Sequence, residues 1–172
     1  RMNAKIMGTG YELPAFRADN DYLATLVDTS DEWIRERTGI CARHLAKEET
    51  TTSMAAKAAR KALQKAGVDA SEVELVIVAT ITGDTDTPST ACKVQAQIGA
   101  DHAVAFDMNA ACSGFLYGTA VARGLLATLG GRYALVVGCE ALSRLMDPAD
   151  RSTCVLFGDG AGAAVFELTA DP

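Results

Sequence analysis

Residues 73–81 read VELVIVATI, a stretch that is apolar at nearly every position. A strand with one wet face alternates apolar and polar residues, so an unbroken run predicts a strand covered on both faces. Residues 133–137 and 161–168 repeat the pattern, and 4–9, 40–46 and 103–108 give shorter strand-like pieces. The first of these is expected to stop at the turn-prone Gly8 and Gly10. Helix signals alternate with the strands. Asp19 or Asn20 can cap a short helix through Leu26, and Ser30 can cap residues 31–37, stopped by Gly39. Residues 51–66 read as a helix closed by Gly67, Pro88 opens another through Ile98, and 112–129 ends at Gly130 and Gly131. Doubly covered strands interleaved with helices imply an α/β fold with a mostly parallel sheet covered on both faces.

A chain of 172 residues with 49% hydrophobic and 22% charged residues suits one domain with a real core and is too apolar for disorder. Its net charge of −6 argues against a broad nucleic-acid footprint. No apolar run approaches the ~20 residues that span a bilayer, and residues 1–5 lack a signal peptide's pattern, so no membrane contact and a cytoplasmic location are expected. The five cysteines are odd in number and include no C-x-x-C pair, which speaks against a disulfide framework and a metal site. Cys41, Cys92, Cys139 and Cys154 are read as small buried hydrophobes.

Cys112 is read differently. The segment AFDMNAACSGFLYG (105–118) sets its thiol between the end of a strand and the first turn of a helix. Unpaired backbone N–H groups and the helix dipole favour an anion there, so a thiolate is stabilised. A thiolate is a strong nucleophile and a good acyl leaving group, which suits thioester exchange, and the same N–H groups can stabilise the oxyanion. Gly114, Gly118 and Ala122 follow at i, i+4 and i+8, a smooth ridge that suits close approach of another backbone or packing on the chain's own sheet. A buried helix facing an equivalent helix elsewhere is the expectation.

Four motifs in register, DTSDEWIRERTGI (28–40), AACSGF (110–115), DPADR (147–151) and FGDGAGAA (157–164), resemble β-ketoacyl-acyl-carrier-protein synthase III. The resemblance covers the whole chain and implies a thiolase-like half: a mixed, mostly parallel five-stranded sheet covered by helices, with a buried nucleophile-bearing helix. It implies an acyltransferase that takes an acyl group from acyl-CoA onto Cys112 and condenses it with decarboxylating malonyl-acyl-carrier protein, as a homodimer and with no cofactor beyond the CoA thioester substrate. Matched residue by residue, Trp33 and Arg151 correspond to a pair that sandwiches the adenine, and Thr29 and Arg37 to residues lining the same entry. Phe157 corresponds to a wall near the thiol, and Ile81, Thr87 and Leu142 to the acyl pocket. Taken singly, Trp33 could be a core anchor and the arginines solvated surface charges; an indole and guanidinium planes nonetheless suit an adenine and its phosphates.

Family members are about twice this length and carry a catalytic His and Asn in their second half. Residues 1–172 are therefore expected to be the N-terminal domain alone, incompetent in condensation, with the ridge left bare and the halves prone to associate. His44 and His102 match neither catalytic position and are read as structural. Thr87, where short-chain members often carry a bulky aromatic, suggests room for a longer acyl chain. Rival readings are another condensing enzyme of the same superfamily (polyketide or alkylquinolone type), a non-catalytic CoA-binding or interaction half, and a nucleotide-binding loop at Gly158, Gly160 and Gly162, which lacks the lysine such loops need.

Overall fold

The computed structural model of the chain describes residues 2–170. The strands are β1 (Asn3–Glu12), β2 (Arg17–Asp19), β3 (Ala42–His44), β4 (Val73–Ala79), β5 (Val104–Met108), β6 (Tyr133–Ala141) and β7 (Asp159–Thr169). The helices are α1 (Asn20–Ala24), α2 (Asp31–Thr38), α3 (Thr51–Ala66), α4 (Thr90–Ile98), α5 (Gly114–Leu129) and α6 (Arg151–Cys154). Five strands form one sheet in the order β1-β7-β6-β4-β5, while β2 and β3 make a separate small ribbon. The pairs β4–β5 and β4–β6 are parallel, and β7 runs against both β6 and β1. Four strands thus point one way and β7 the other, the mixed, mostly parallel sheet expected.

Alternate residues of the central strands serve two cores. Val76 and Val78 of β4 face one side, packed with α3 and α4 through Met54, Leu63 and Val94. Leu75 and Ile77 face the other, packed with Ala122 and Leu126 of α5. Helix α3 runs the residues its sequence predicts. A Thr50–Ser53 capping box opens it and Gly67, at φ 66°, closes it. A third, smaller cluster of Leu23, Ile34, Cys154 and Val155 joins α1, α2 and α6.

The structure departs from these expectations in several places. Strand β1 does not stop at Gly8 and Gly10: it runs on to Glu12, and both glycines are where α3 lies against it. A Cβ at Gly8 would sit 2.5 Å from the Ala66 amide nitrogen, and one at Gly10 would sit 2.4 Å from the Ala58 carbonyl oxygen. Pro88, joined to Thr87 by a cis peptide, precedes the helix rather than opening it; Ser89 caps α4 by accepting from the Cys92 amide. Cys41 is exposed and Cys92 half-exposed, whereas Cys139 and Cys154 are buried as expected.

A further departure concerns α5. The Gly114–Gly118–Ala122 ridge is buried against this chain's own sheet, where a Cβ at Gly114 would stand 2.8 Å from that of Ala79 and one at Gly118 would stand 3.1 Å from Val136. The ridge is not bare, and α5 is buried on one face only. Its opposite face is apolar and open, with Leu116 71% and Tyr117 58% exposed.

Candidate active site

The chain leaves β5 at Met108 and reaches α5 through a tight 3-10 turn at Ala111–Ser113, with Cys112 at its centre. Ala111 holds φ 45°, in the left-handed region that a Cβ disfavours, so the turn before the thiol carries local strain. The amides of Ser113 and Gly114 are used inside the turn, donating to Ala110 and Ala111. The Cys112 amide is left at the open end of the helix, where N–H groups have no intrahelical partner. The Cys112 side chain is exposed.

Cys112 lines a cleft of about 230 Å³. Ala79 at the end of β4, residues 138–140 of β6, and Gly158 and Gly160 line it with Cys112. The position follows from topology. The chain goes from β4 to β5 on one side of β4 and then crosses to β6 on the other, so the connections part beyond the carboxyl ends of β4 and β6. Open α/β sheets have their crevice at such a switch point.

Glu140 supplies the cleft's carboxylate, fully engaged: it accepts from the Ile81 amide (2.9 Å) and from the hydroxyls of Thr80 and Thr82. Cys139, the second thiol of the cleft wall, donates to the Thr51 carbonyl at 3.2 Å. Burial, reinforced by the negative charges of Glu140 and Asp84, pushes its thiol well above the ordinary range. Of the two sulfurs lining the cleft, the exposed Cys112 is the one available for chemistry.

A second group of residues gathers on the α1–α2–α6 cluster. The Trp33 ring of α2 packs partly against that cluster, and two guanidinium groups stack on it: Arg37 at 4.5 Å and Arg151 at 4.4 Å from the ring centroid. Arg151, at the start of α6, also donates to the Asp28 carbonyl at 3.0 Å. The Thr29 hydroxyl, next in sequence to Asp28, is buried with no hydrogen-bond partner among the described residues.

Residues 106–172 match the family described as 3-oxoacyl-[acyl-carrier-protein (ACP)] synthase III. The β-ketoacyl-[acyl-carrier-protein] synthase III of Clostridium botulinum (strain Loch Maree / Type A3) is 51% identical over 169 residues, 98% of this chain and 52% of that protein. Over nearly its whole length this chain is similar to about half of a β-ketoacyl-[acyl-carrier-protein] synthase III. The crystal structure of the Aquifex aeolicus VF5 synthase III superposes with a TM-score of 0.94 at 50% identity, over 98% of this chain and 55% of that one. The priming β-ketosynthase from the R1128 polyketide biosynthetic pathway also reaches 0.94, at 40% identity over 98% of this chain and 51% of that one. The chain spans about half the length of the curated relatives it matches.

Of the residues that the synthase III resemblance singled out, the structure brings Trp33, Arg37 and Arg151 to one cluster, with Thr29 next to the Asp28 that Arg151 reaches, and sets Cys112 in the cleft. Phe157 is 41% exposed and directly precedes Gly158 of the cleft lining, and Ile81, 42% exposed, is tied to the cleft through the Glu140 carboxylate. Thr87 is exposed beside Pro88, and Leu142 is half-buried in a turn after β6; neither is among the residues lining the cleft. Two site features were missed. Ala111's backbone has no sequence signal, since an alanine does not advertise a left-handed turn. Glu140 has one: a single carboxylate closing an apolar strand asks for a partner, which the 80–82 loop provides.

Proposed function

We propose that residues 1–172 form the acyl-accepting, N-terminal half of a β-ketoacyl-carrier-protein synthase III, in which Cys112 takes an acyl group from acyl-CoA. The observation that carries this is the exposed Cys112 thiol at the open end of α5, in a cleft at the sheet's switch point. The Cys112 sulfur, as thiolate, attacks the thioester carbonyl. The new S–C bond forms on Cys112, the CoA C–S bond breaks, and the proton lost from Cys112 ends on the CoA thiol. The Cys112 amide at the helix start suits the oxyanion of the tetrahedral intermediate. Cys112 itself carries the acyl group, so acyl transfer calls on no prosthetic group.

Trp33, Arg37, Arg151 and Thr29 are the proposed handle for the CoA nucleotide. Arg151 stands 4.4 Å from Trp33, whereas a base between two planar groups needs two layers of about 3.5 Å each. Nucleotide entry therefore swings Arg151 off the indole, leaving Arg37 stacked on Trp33 and the guanidinium free to close over the base. Phe157, Ile81, Thr87 and Leu142 are proposed to border the acyl chain once it is loaded. The second stage, condensation with malonyl-carrier protein in a cytoplasmic homodimer, is proposed for the whole protein of which this is one domain. The higher identity to synthase III than to the polyketide priming enzyme supports the fatty-acid reading.

Intact-mass analysis after incubation with acetyl-CoA tests the proposal. One acetyl group, located on Cys112 and absent in Cys112→Ala, is expected. Acetylation elsewhere, or none, refutes it; quenching of Trp33 fluorescence by CoA without acylation would instead mark a binding module.

A further inference from the structure

Arg43 of β3 is 6% exposed, a buried cation that, among the described residues, donates to an amide oxygen and two backbone carbonyls rather than to a carboxylate. One terminal nitrogen donates to the Asn20 side-chain oxygen (3.0 Å) and to the Ala18 carbonyl (3.3 Å). The other donates to the Val155 carbonyl (2.9 Å), at the end of α6. Asn20 in turn donates to the Asp31 carboxylate that begins α2 and to the Ile40 carbonyl that follows it, both at 2.8 Å. One guanidinium thus links the helix that carries Trp33 and Arg37 to the helix that carries Arg151. Its stem also meets the cleft: a Cβ on Gly158, which lines the Cys112 cleft, would lie 3.0 Å from the Arg43 Cβ.

A buried charge is costly unless its neighbours answer it, and replacing it strands every acceptor it served. Burial does push the Arg43 pKa down, against the opposing influence of Cys154 and Asp19. An aliphatic residue would fill the space but tie nothing, and a lysine ammonium lacks the planar fork that reaches two helices at once.

We infer that Arg43 is a positioning residue that fixes the Trp33–Arg37 helix against the Arg151 helix and so sets the spacing of the nucleotide handle relative to the Cys112 cleft. This rests on the proposed CoA reading for its consequence, but its structural core does not. Stacking of a base on an aromatic ring is worth about 1–3 kcal/mol, so a mis-set handle raises the half-saturating acyl-CoA concentration about tenfold.

The test uses the whole chain, in which Trp33 is the single tryptophan and so the fluorescence reporter. In Arg43→Met, acylation of Cys112 is measured by mass with acetyl-CoA and with acetyl-pantetheine, which lacks the nucleotide. The expected result is a half-saturating acetyl-CoA concentration raised about tenfold, an unchanged acetyl-pantetheine rate, and partial rescue in Arg43→Lys. Equal loss with both thioesters, or no change with acetyl-CoA, overturns the inference. If Arg43→Met does not fold, Arg43→Lys decides by the same comparison, with a smaller rise expected. If the wild-type chain takes no acetyl group, the proposed function fails, and acrylamide quenching of Trp33 still judges Arg43: easier quenching in the variant upholds its role and equal quenching overturns it.

Discussion

Gly114→Ala isolates what the ridge of α5 does. The added Cβ would lie 2.8 Å from the Cβ of Ala79, whereas methyl groups rest at about 3.5–4.0 Å, so a gap of about 1 Å has to open. Ala79 cannot give way easily, because β4 is held on both sides, with Met108 of β5 and Gly138 of β6 as its partners. The start of α5 moves instead, and Cys112 lies two residues before it. Overpacking costs about 1–3 kcal/mol and the gain in helix propensity returns up to about 1, so net stability falls by about 0–2 kcal/mol. A displacement of about 1 Å at a reacting group costs about a hundredfold in rate. Single-turnover acetylation of Cys112 should therefore drop about two orders of magnitude while the urea midpoint moves little. Gly124→Ala is the control: its Cβ meets nothing within 4 Å, so it should gain about 0.5–1 kcal/mol and leave acylation intact. Near-wild-type acylation in Gly114→Ala, or an equal loss in Gly124→Ala, would refute the claim that this contact sets the height of the thiol.

Gly8→Ala and Gly10→Ala push a methyl into the α3 backbone at 2.5 and 2.4 Å, and each should lose about 2–3 kcal/mol in urea unfolding; a loss under 1 would contradict the close approach. Asp84 is driven upward by burial, but bonds from Thr52, Arg144 and Thr51 prevail and hold its carboxyl at about 2, below the ordinary 3.8. Its stabilisation is therefore present above about pH 4 and fades as pH falls towards 2, so the urea midpoint should drop across that window and Asp84→Asn should flatten the drop. The same variant should lose about 1–2 kcal/mol at neutral pH through its bonds to the start of α3, as read from the urea midpoint. The open face of α5 should drive concentration-dependent association, visible by sedimentation and weakened in Leu116→Glu; a monodisperse parent chain would rule it out.

Most of the fold was legible because local signals and tertiary packing agree. Ser30, Gly39, Thr50 and Gly67 terminate their helices by side-chain caps and left-handed backbone, both written in the residue types. The strands were less so wherever glycines occur. Strand β6 was expected to end at Val137, yet it continues to Ala141 because residues 138–141 pair with the start of β7, Gly138 opposite Gly162 and Glu140 opposite Gly160. That pairing joins segments distant in sequence and overrides low strand propensity. The ridge shows the limit of spacing arguments. Glycines at i and i+4 announce a flat face without naming what lies on it, and only the contact with Ala79 and Val136 selects the chain's own sheet. Cys112 stood out because strand end, small residues and helix start coincide within one segment; Glu140 and Arg43 did not, since their partners are 59 and 112 residues away.

The two parts of the proposed site rest on different cores. Cys112 is set by α5 against β4, within the packing of Leu75, Ile77 and Leu126, whereas Trp33 and Arg151 are set by the small cluster of Leu23, Ile34, Cys154 and Val155. A handle on one core helps a reaction on another only if the two are rigidly joined, because binding energy gained at a remote group orients the reacting carbonyl through that joint. Arg43 is such a joint, tying α2 to α6 through its guanidinium while its stem lies close beside Gly158, which lines the cleft. The nucleotide should therefore raise the rate of acylation at saturation as well as affinity. An acetyl-pantetheine that reaches the acetyl-CoA rate at high concentration would mean that the handle only tethers, and that the thiol's geometry owes nothing to it.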